Sequence, residues 1–340
     1  MHSELFDSLD RQLTQVCSPA VIRAIESGSS HRALWQSLLH SGFVDLMVDQ
    51  DSGGSGLGWS DAWPVLFAVG RHAVPVPFGT SMYARALFAQ LGRPFNADNI
   101  VAVSGFGQLD RQGRLTANGV GSVALADEII VQAGDQVYRA DIAQCSIERT
   151  AGPGCFDGHV VIARPELMGA LPAGTLAHAV ALVLAVELAG LADRVLEMTL
   201  RYANDRQQFG KPIGRFQAVQ QQITEMAERV YAMRMASQLG VQCPSIHPLA
   251  LKAALAKSQT SASASRVAST AHAVHGAIGV TQEYDLQIYT RRLYELARAG
   301  AGEQFWATQI GQAAFTTGQG LLDFTREVLF GSKRGDLPAV

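Results

Sequence analysis

Long hydrophobic runs, clustered cysteines and a surplus of charge are all missing from this 340-residue sequence. The most apolar stretch, Ala177 to Gly190, is shorter than the roughly 18 residues of a membrane span and is interrupted by His178 and Glu187. No membrane-spanning helix is therefore expected. Charged residues make up 17% of the chain and the formal net charge is -3, which removes the electrostatic basis for nucleic-acid binding. The segment Met1 to Asp10 is acidic and has no basic region, so it does not read as a secretory signal. Cys17, Cys145, Cys155 and Cys243 are scattered and never fall at Cys-x-x-Cys spacing, so no metal site is expected. They read as free thiols of a reducing, cytoplasmic compartment, with a Cys145–Cys155 bridge left open. No Gly-x-Gly-x-x-Gly follows a strand-like run, which leaves a Rossmann dinucleotide site without support.

What is present is a chain with 48% apolar residues, long enough for two or three packed units. From Met1 to about Pro94 apolar residues recur at helical spacing, as in Leu34, Leu38 and Leu39 and again in Trp63, Leu66, Phe67 and Val69. A Gly-rich turn at Ser52 to Gly58 interrupts them. From about Asp98 to Pro172 the runs are short and β-branched: Ile100 to Val103, Ser122 to Ala126, Ile129 to Val131, Val137-Tyr138 and Val160 to Ile162. Turn residues separate them at Asn118-Gly119, Gly134-Asp135 and Gly152 to Gly154. From Leu176 onward the period is helical again, and the Ser/Ala-rich segment Ser258 to Ser269 reads as a closely packed helix face. The expectation is an α+β chain in three parts: helices over 1–97, a small antiparallel β domain over 98–173, and a helical bundle over 174–340. Strands and helices do not alternate, so a doubly wound sheet is excluded.

The most informative stretch runs from Arg201 to Gln220. A helix over Leu182 to Asn204 should end at a polar break, and a second helix should begin near Phe216. Arg206 at that break offers a planar, permanently charged fork suited to phosphate or pyrophosphate. Phe209, beside Gly210, can pack flat on a ring. Taken alone, the pair also reads as a salt-bridged loop arginine with a core phenylalanine.

Its surroundings decide between these readings. Tyr202, then Arg206-Gln-Gln-Phe-Gly210, then Phe216-Gln217 resembles the signature of acyl-CoA dehydrogenases. His275-Gly-Ala-Ile-Gly-Val-Thr-Gln-Glu-Tyr-Asp-Leu286 resembles that family's His-Gly-Gly-x-Gly-Phe-Thr-x-Glu segment. A weaker likeness links Leu34-Trp35, Gly53 to Gly58, Gly70-Arg71 and Pro75-Val76-Pro77 to the family's N-terminal domain. The resemblance implies an acyl-CoA dehydrogenase fold ending in a four-helix bundle. It also implies FAD at a subunit interface, with one subunit holding the ring and the acyl-CoA substrate. The neighbour reaches across to the pyrophosphate and adenosine; here that role falls to Arg206, Gln208, Phe209, Gly276 and Ala277. The family usually has Gln at the position of Ala273 and Gly at that of Ala277.

The reaction the resemblance implies removes an alpha proton with a carboxylate while the beta hydrogen leaves as hydride to flavin. The two family positions for that base fall here at Gly300 and near Val180, and neither is a carboxylate. Glu303, three residues further on, is the remaining weak candidate, and His178 an unconventional one. Glu187 reads as structural and Glu295 as facing solvent beside Arg291 and Arg292. The β segment is short and shows no run of Thr, Ser and Trp for a flavin ring. This asymmetry is similar to the short, base-less subunit of bacterial α2β2 acyl-CoA dehydrogenases of steroid side-chain catabolism, where an unlike subunit supplies the base. A self-sufficient homo-oligomer using Glu303 or His178, and a flavin-free scaffold, are the alternatives. The family's usual electron acceptor, an electron-transfer flavoprotein, leaves no motif.

Overall fold

The structure is a computed structural model that describes residues 2–150, 154–243 and 245–331. Five helices come first: α1 (His2–Val16), α2 (Pro19–Glu26), α3 (Arg32–His40), α4 (Trp59–Arg71) and α5 (Phe78–Gln90). Local chemistry sets their limits. Ser18 caps α2 by accepting the Val21 N–H, with Pro19 in the first turn, where a missing N–H costs nothing. Leu9 and Leu13, one turn apart on α1, are fully buried and bring that helix onto α4.

Among the described residues eight strands follow: β1 (Val101–Ser104), β2 (Gly107–Leu109), β3 (Leu115–Val120), β4 (Glu128–Ala133), β5 (Gln136–Asp141), β6 (Cys145–Arg149), β7 (Gly158–Ile162) and β8 (Glu166–Ala170). They form two four-stranded sheets, ordered β1-β4-β5-β8 and β2-β3-β7-β6. Every pairing is antiparallel except β1 with β4. Alternation sorts the residues. Ala102, Ile129 and Val131 join Leu115, Ala117, Val160 and Ile162 in a core between the sheets. Val101, Val103, Ile130 and Val137 face the other way, into the core shared with the helices. The run Ser122 to Ala126 is not a strand. Ser122 is left-handed and Val123–Leu125 form a 3-10 turn, because Asp157 takes the Ser122 N–H at 2.8 Å and bends the chain. The turn expected at Gly152 to Gly154 falls largely outside the described residues.

The helical part begins with α6 (Thr175–Asp205), seven residues earlier than its sequence pattern predicts. A short hairpin of β9 (Gln207–Gln208) and β10 (Lys211–Pro212) leads to α7 (Gln217–Gly240), α8 (Ala250–His275), α9 (Leu286–Arg298), α10 (Glu303–Thr317) and α11 (Leu321–Phe330). Helices α6 to α9 pack as a bundle, with α10 laid on α8. By length and composition α6 would pass as a membrane span, contrary to the expectation from uninterrupted runs. Its most apolar window is 89% buried inside this chain, so packing accounts for its hydrophobicity. All four cysteines are free.

Helix α6 meets α4 backbone to backbone. A Cβ added to Gly190 would lie 2.1 Å from the Phe67 carbonyl oxygen, and one added to Gly70 would lie 2.1 Å from that of Glu187. Fully buried Lys257 on α8 fixes the far end of α9, donating to Leu296 O at 2.6 Å, Ala297 O at 3.1 Å and Ser261 Oγ at 3.0 Å. Burial pushes its ammonium down to about 7. Gly190→Ala should force α4 and α6 apart and cost about 1–3 kcal/mol, read as a lower denaturation midpoint. An unchanged midpoint would mean the crossing is loose.

Candidate functional site

Arg206 caps α6, its N–H bonded to Tyr202 O and its carbonyl accepting the Ile213 N–H, each at 2.8 Å. Between these bonds the β9–β10 hairpin projects outward. Its tip is Phe209-Gly210, with φ of 51° and 79°, a two-residue turn that needs left-handed backbone at both positions. Phenylalanine pays a steric cost there. Its ring is also 91% exposed, with an edge-on contact to the Phe216 ring at 6.2 Å between centroids, so packing within this chain does little to offset that cost. Arg206, Gln207 and Gln208 are exposed as well. Among the described residues the Arg206 guanidinium takes no ion pair or hydrogen bond.

The second sequence-predicted segment is built in the same way. Gly276, at φ 64° and ψ -146°, ends α8 in a conformation that only glycine adopts readily. A 3-10 turn over Gly276–Val280 follows, with Gly276, Ala277, Ile278 and Val280 exposed. A Cβ on Gly276 would meet nothing within 4 Å. The two segments come together through their roots: Tyr202, one turn before Arg206, stacks on His275, immediately before Gly276, with ring centroids 4.4 Å apart. An unpaired guanidinium, an exposed flat ring and open glycine backbone suit the phosphates and heterocycle of a dinucleotide. Lys211 and Arg215 add positive charge within ten residues of Arg206. These exposed residues therefore fit part of FAD.

The cavity where a base would act lies elsewhere, between β1, the Asn118–Ser122 loop, α6 and α9. The positions Gly300 and Val180, reached from opposite directions along the sequence, meet there. A Cβ on Gly300 would sit 3.1 Å from Val180 Cγ1 and 3.0 Å from Leu184 Cδ1. Neither position carries a proton acceptor. The cavity holds only about 30 Å³ of water-accessible space, against roughly 300 Å³ or more for a small-molecule site. Two features close it. Only Gly105 and Phe106 separate β1 from β2, and Gly105 abuts α6 so tightly that a Cβ would lie 2.0 Å from Ala177 N. Phe106 then packs edge-on against Phe305 and Trp306, at 5.4 and 6.3 Å between ring centroids.

The remaining candidates separate cleanly. Glu303 is the exposed first residue of α10 and is not among the cavity's lining residues. His178 lies against Trp306 at 5.5 Å, and burial lowers its pKa. Glu295 is only partly exposed, with 21% of its side chain accessible. Its carboxylate pairs with Arg292 at 3.2 Å, because α9 turns that face toward the β domain, where Arg292 also donates to Ser122 Oγ at 3.1 Å. Glu187, which the sequence reads as structural, is buried and lines the cavity. Burial drives its carboxyl up to about 7, opposed by the Arg292 charge and the Gly79 N–H. Its apolar helix neighbours gave no signal of that role.

A folded pKa above the unfolded value makes the native state hold the extra proton. Glu187 therefore costs stability progressively as pH rises from its ordinary range near 4.5 through about 7. Glu187→Gln should leave stability unchanged near pH ~4 and raise it by about 2–3 kcal/mol near pH ~8, measured by chemical denaturation. A difference that does not vary with pH would contradict this.

Comparison with known proteins gives the site a setting. Residues 173–304 match the family model described as the acyl-CoA dehydrogenase C-terminal domain. The chain is 29% identical to the acyl-CoA dehydrogenase IpdE2 of Mycolicibacterium smegmatis over 284 residues, covering 83% of this chain and 88% of that protein. Its fold is similar to that of the ChsE4–ChsE5 complex from Mycobacterium tuberculosis, with a TM-score of 0.79 at 22% identity over 92% of this chain and 97% of the other. It is also similar to a Tcur3481–Tcur3483 steroid ACAD variant, with a TM-score of 0.81 at 23% identity over 94% and 99%.

Proposed function

The chain belongs to the acyl-CoA dehydrogenase family, flavin-dependent oxidoreductases acting on CH–CH bonds, and from that premise we propose that it completes a flavin site housed in an unlike subunit. The observation that carries this reading is the outward hairpin: Phe209 is held in a strained conformation with its ring 91% exposed, beside an unpaired Arg206. The closed cavity supports it from the other side. A chain that kept its own flavin and substrate would need space where Phe106, Phe305 and Trp306 pack.

In this reading Arg206 and Gln208 hold the pyrophosphate and Phe209 covers the heterocycle. The backbone at Gly276 and Ala277 admits the adenosine end closely. When bound, FAD supplies the hydride acceptor for alpha,beta-dehydrogenation of an acyl-CoA. The carboxylate that takes the alpha proton comes from the partner, in an α2β2 assembly. The complexes among its structural neighbours favour a pair of unlike chains over a homo-oligomer, and a bulky polycyclic acyl group and an electron-transfer flavoprotein as acceptor belong to the same reading.

The test is to co-express the chain with an unlike acyl-CoA dehydrogenase subunit and compare variants. Arg206→Ala removes a charge-assisted contact of about 1.5–3 kcal/mol, so FAD should bind about 10- to 100-fold more weakly. Glu303→Gln should leave kcat within about twofold, whereas loss of a true general base costs about 100-fold or more. A collapse of kcat in Glu303→Gln, or full flavin retention in Arg206→Ala, would overturn the proposal.

A further inference from the structure

The half-site reading leaves unexplained what holds its two segments in register. Gly210 and Gly276 are 66 positions apart in sequence, and the two segments follow different helices. Both end on the same group of rings, with His275 buried and Tyr202 and Tyr284 partly buried. The Tyr202 and His275 rings lie 4.4 Å apart at 25°, a stacked pair. Tyr284 closes the group from the third side, 5.1 Å from His275 and 6.0 Å from Tyr202.

Each ring is fixed by its own backbone. Tyr202 O accepts the Arg206 N–H at 2.8 Å, so the tyrosine's position sets the start of the hairpin. The His275 Nδ1 contacts Ala271 O at 2.7 Å. A carbonyl can only accept, so Nδ1 carries the proton and the ring is locked on α8 directly before Gly276. Asp285, next to Tyr284, pairs with Arg23 of α2 at 2.5 Å, and Arg23 also takes Gln282 O at 3.1 Å. The third ring is thereby anchored to the N-terminal helices. Among the described residues the buried His275 Nε2 has no partner. The ring therefore earns its place by its flat faces, and its second nitrogen adds nothing within this chain.

We infer that the Tyr202–His275 stack, closed by Tyr284, is a positioning element that couples the Arg206–Phe209 hairpin to the Gly276–Ala277 turn so that they move as one unit. The inference rests on the half-site reading for its consequence in flavin binding, and on the geometry alone for the coupling. An aromatic pair of this kind shifts an equilibrium by about 2- to 10-fold. Loosening either segment should therefore weaken the grip of both.

Two measurements test it. In the chain alone, amide hydrogen exchange is followed at Arg206 and Ile213 in the first segment and at Thr281 in the second. Their N–H groups bond to Tyr202 O, Arg206 O and Ile278 O. Tyr202→Leu should speed exchange in both segments, and His275→Leu likewise, while Tyr202→Phe and His275→Phe should exchange like the parent. Faster exchange confined to the mutated segment would overturn the coupling, whatever the fate of flavin. In the co-expressed complex, the Leu variants should bind FAD about tenfold more weakly and the Phe variants within about twofold of the parent. Phe variants that lose as much as Leu variants would also overturn the stack as the cause. If Arg206→Ala keeps its flavin while the exchange result holds, the half-site reading fails and the coupling stands without it.

Discussion

Two glycines allow α4 and α6 to touch backbone to backbone, and the rest of the molecule is arranged around that contact. Gly70 and Gly190 each leave a carbonyl of the opposite helix at a distance no side chain could share. With the crossing fixed there, the N-terminal helices lie along one side of α6 and the bundle along the other. The two ends of α6 are thereby assigned. Its first turns press against the end of β1 at Gly105 and Ala177, and its last turn carries Tyr202 and the hairpin. One helix of 31 residues thus joins a closed cavity to an open, outward-facing hairpin.

The cavity end keeps charge without keeping space. Glu187, Arg292, Glu295 and Asp157 interact there under substantial burial, and Arg292 is the shared cation. Such a cluster is costly to desolvate, and its value as stabilisation is small unless every charge is paired. Lys257 does similar work behind it, holding the carbonyls at the end of α9 and so the approach to Ala299 and Gly300. These groups fix the shape of the wall around the position where other architectures would need a base. None of them places a carboxylate in contact with Gly300.

Much of this was legible in the sequence, for physical reasons that differ from place to place. Helical periodicity and turn residues separate helices, strands and helices in that order, and the Arg206–Gly210 and His275–Leu286 segments carry their chemistry in consecutive residues. The errors come from tertiary effects. Ser122 to Ala126 is β-branched enough to read as a strand, yet Asp157 captures its first N–H and turns it. Glu295 reads as solvated because the helix face is polar. Burial beside Arg292 depends on where the β domain sits, which no local pattern encodes. The membrane argument from uninterrupted runs missed that α6 is apolar enough to span a bilayer, and burial by neighbouring helices explains why. The Tyr202–His275 stack joins positions 73 residues apart. Both residues were visible as parts of separate signatures, but their contact was not.

The central claim is that this chain grips a flavin it does not house. Flavin stoichiometry measures that directly, by native mass spectrometry together with the visible absorbance of the chain purified alone and of its complex with an unlike acyl-CoA dehydrogenase subunit. The account predicts a colourless chain and a complex holding one FAD per unlike pair. A yellow homo-oligomer with one FAD per copy of this chain would contradict it.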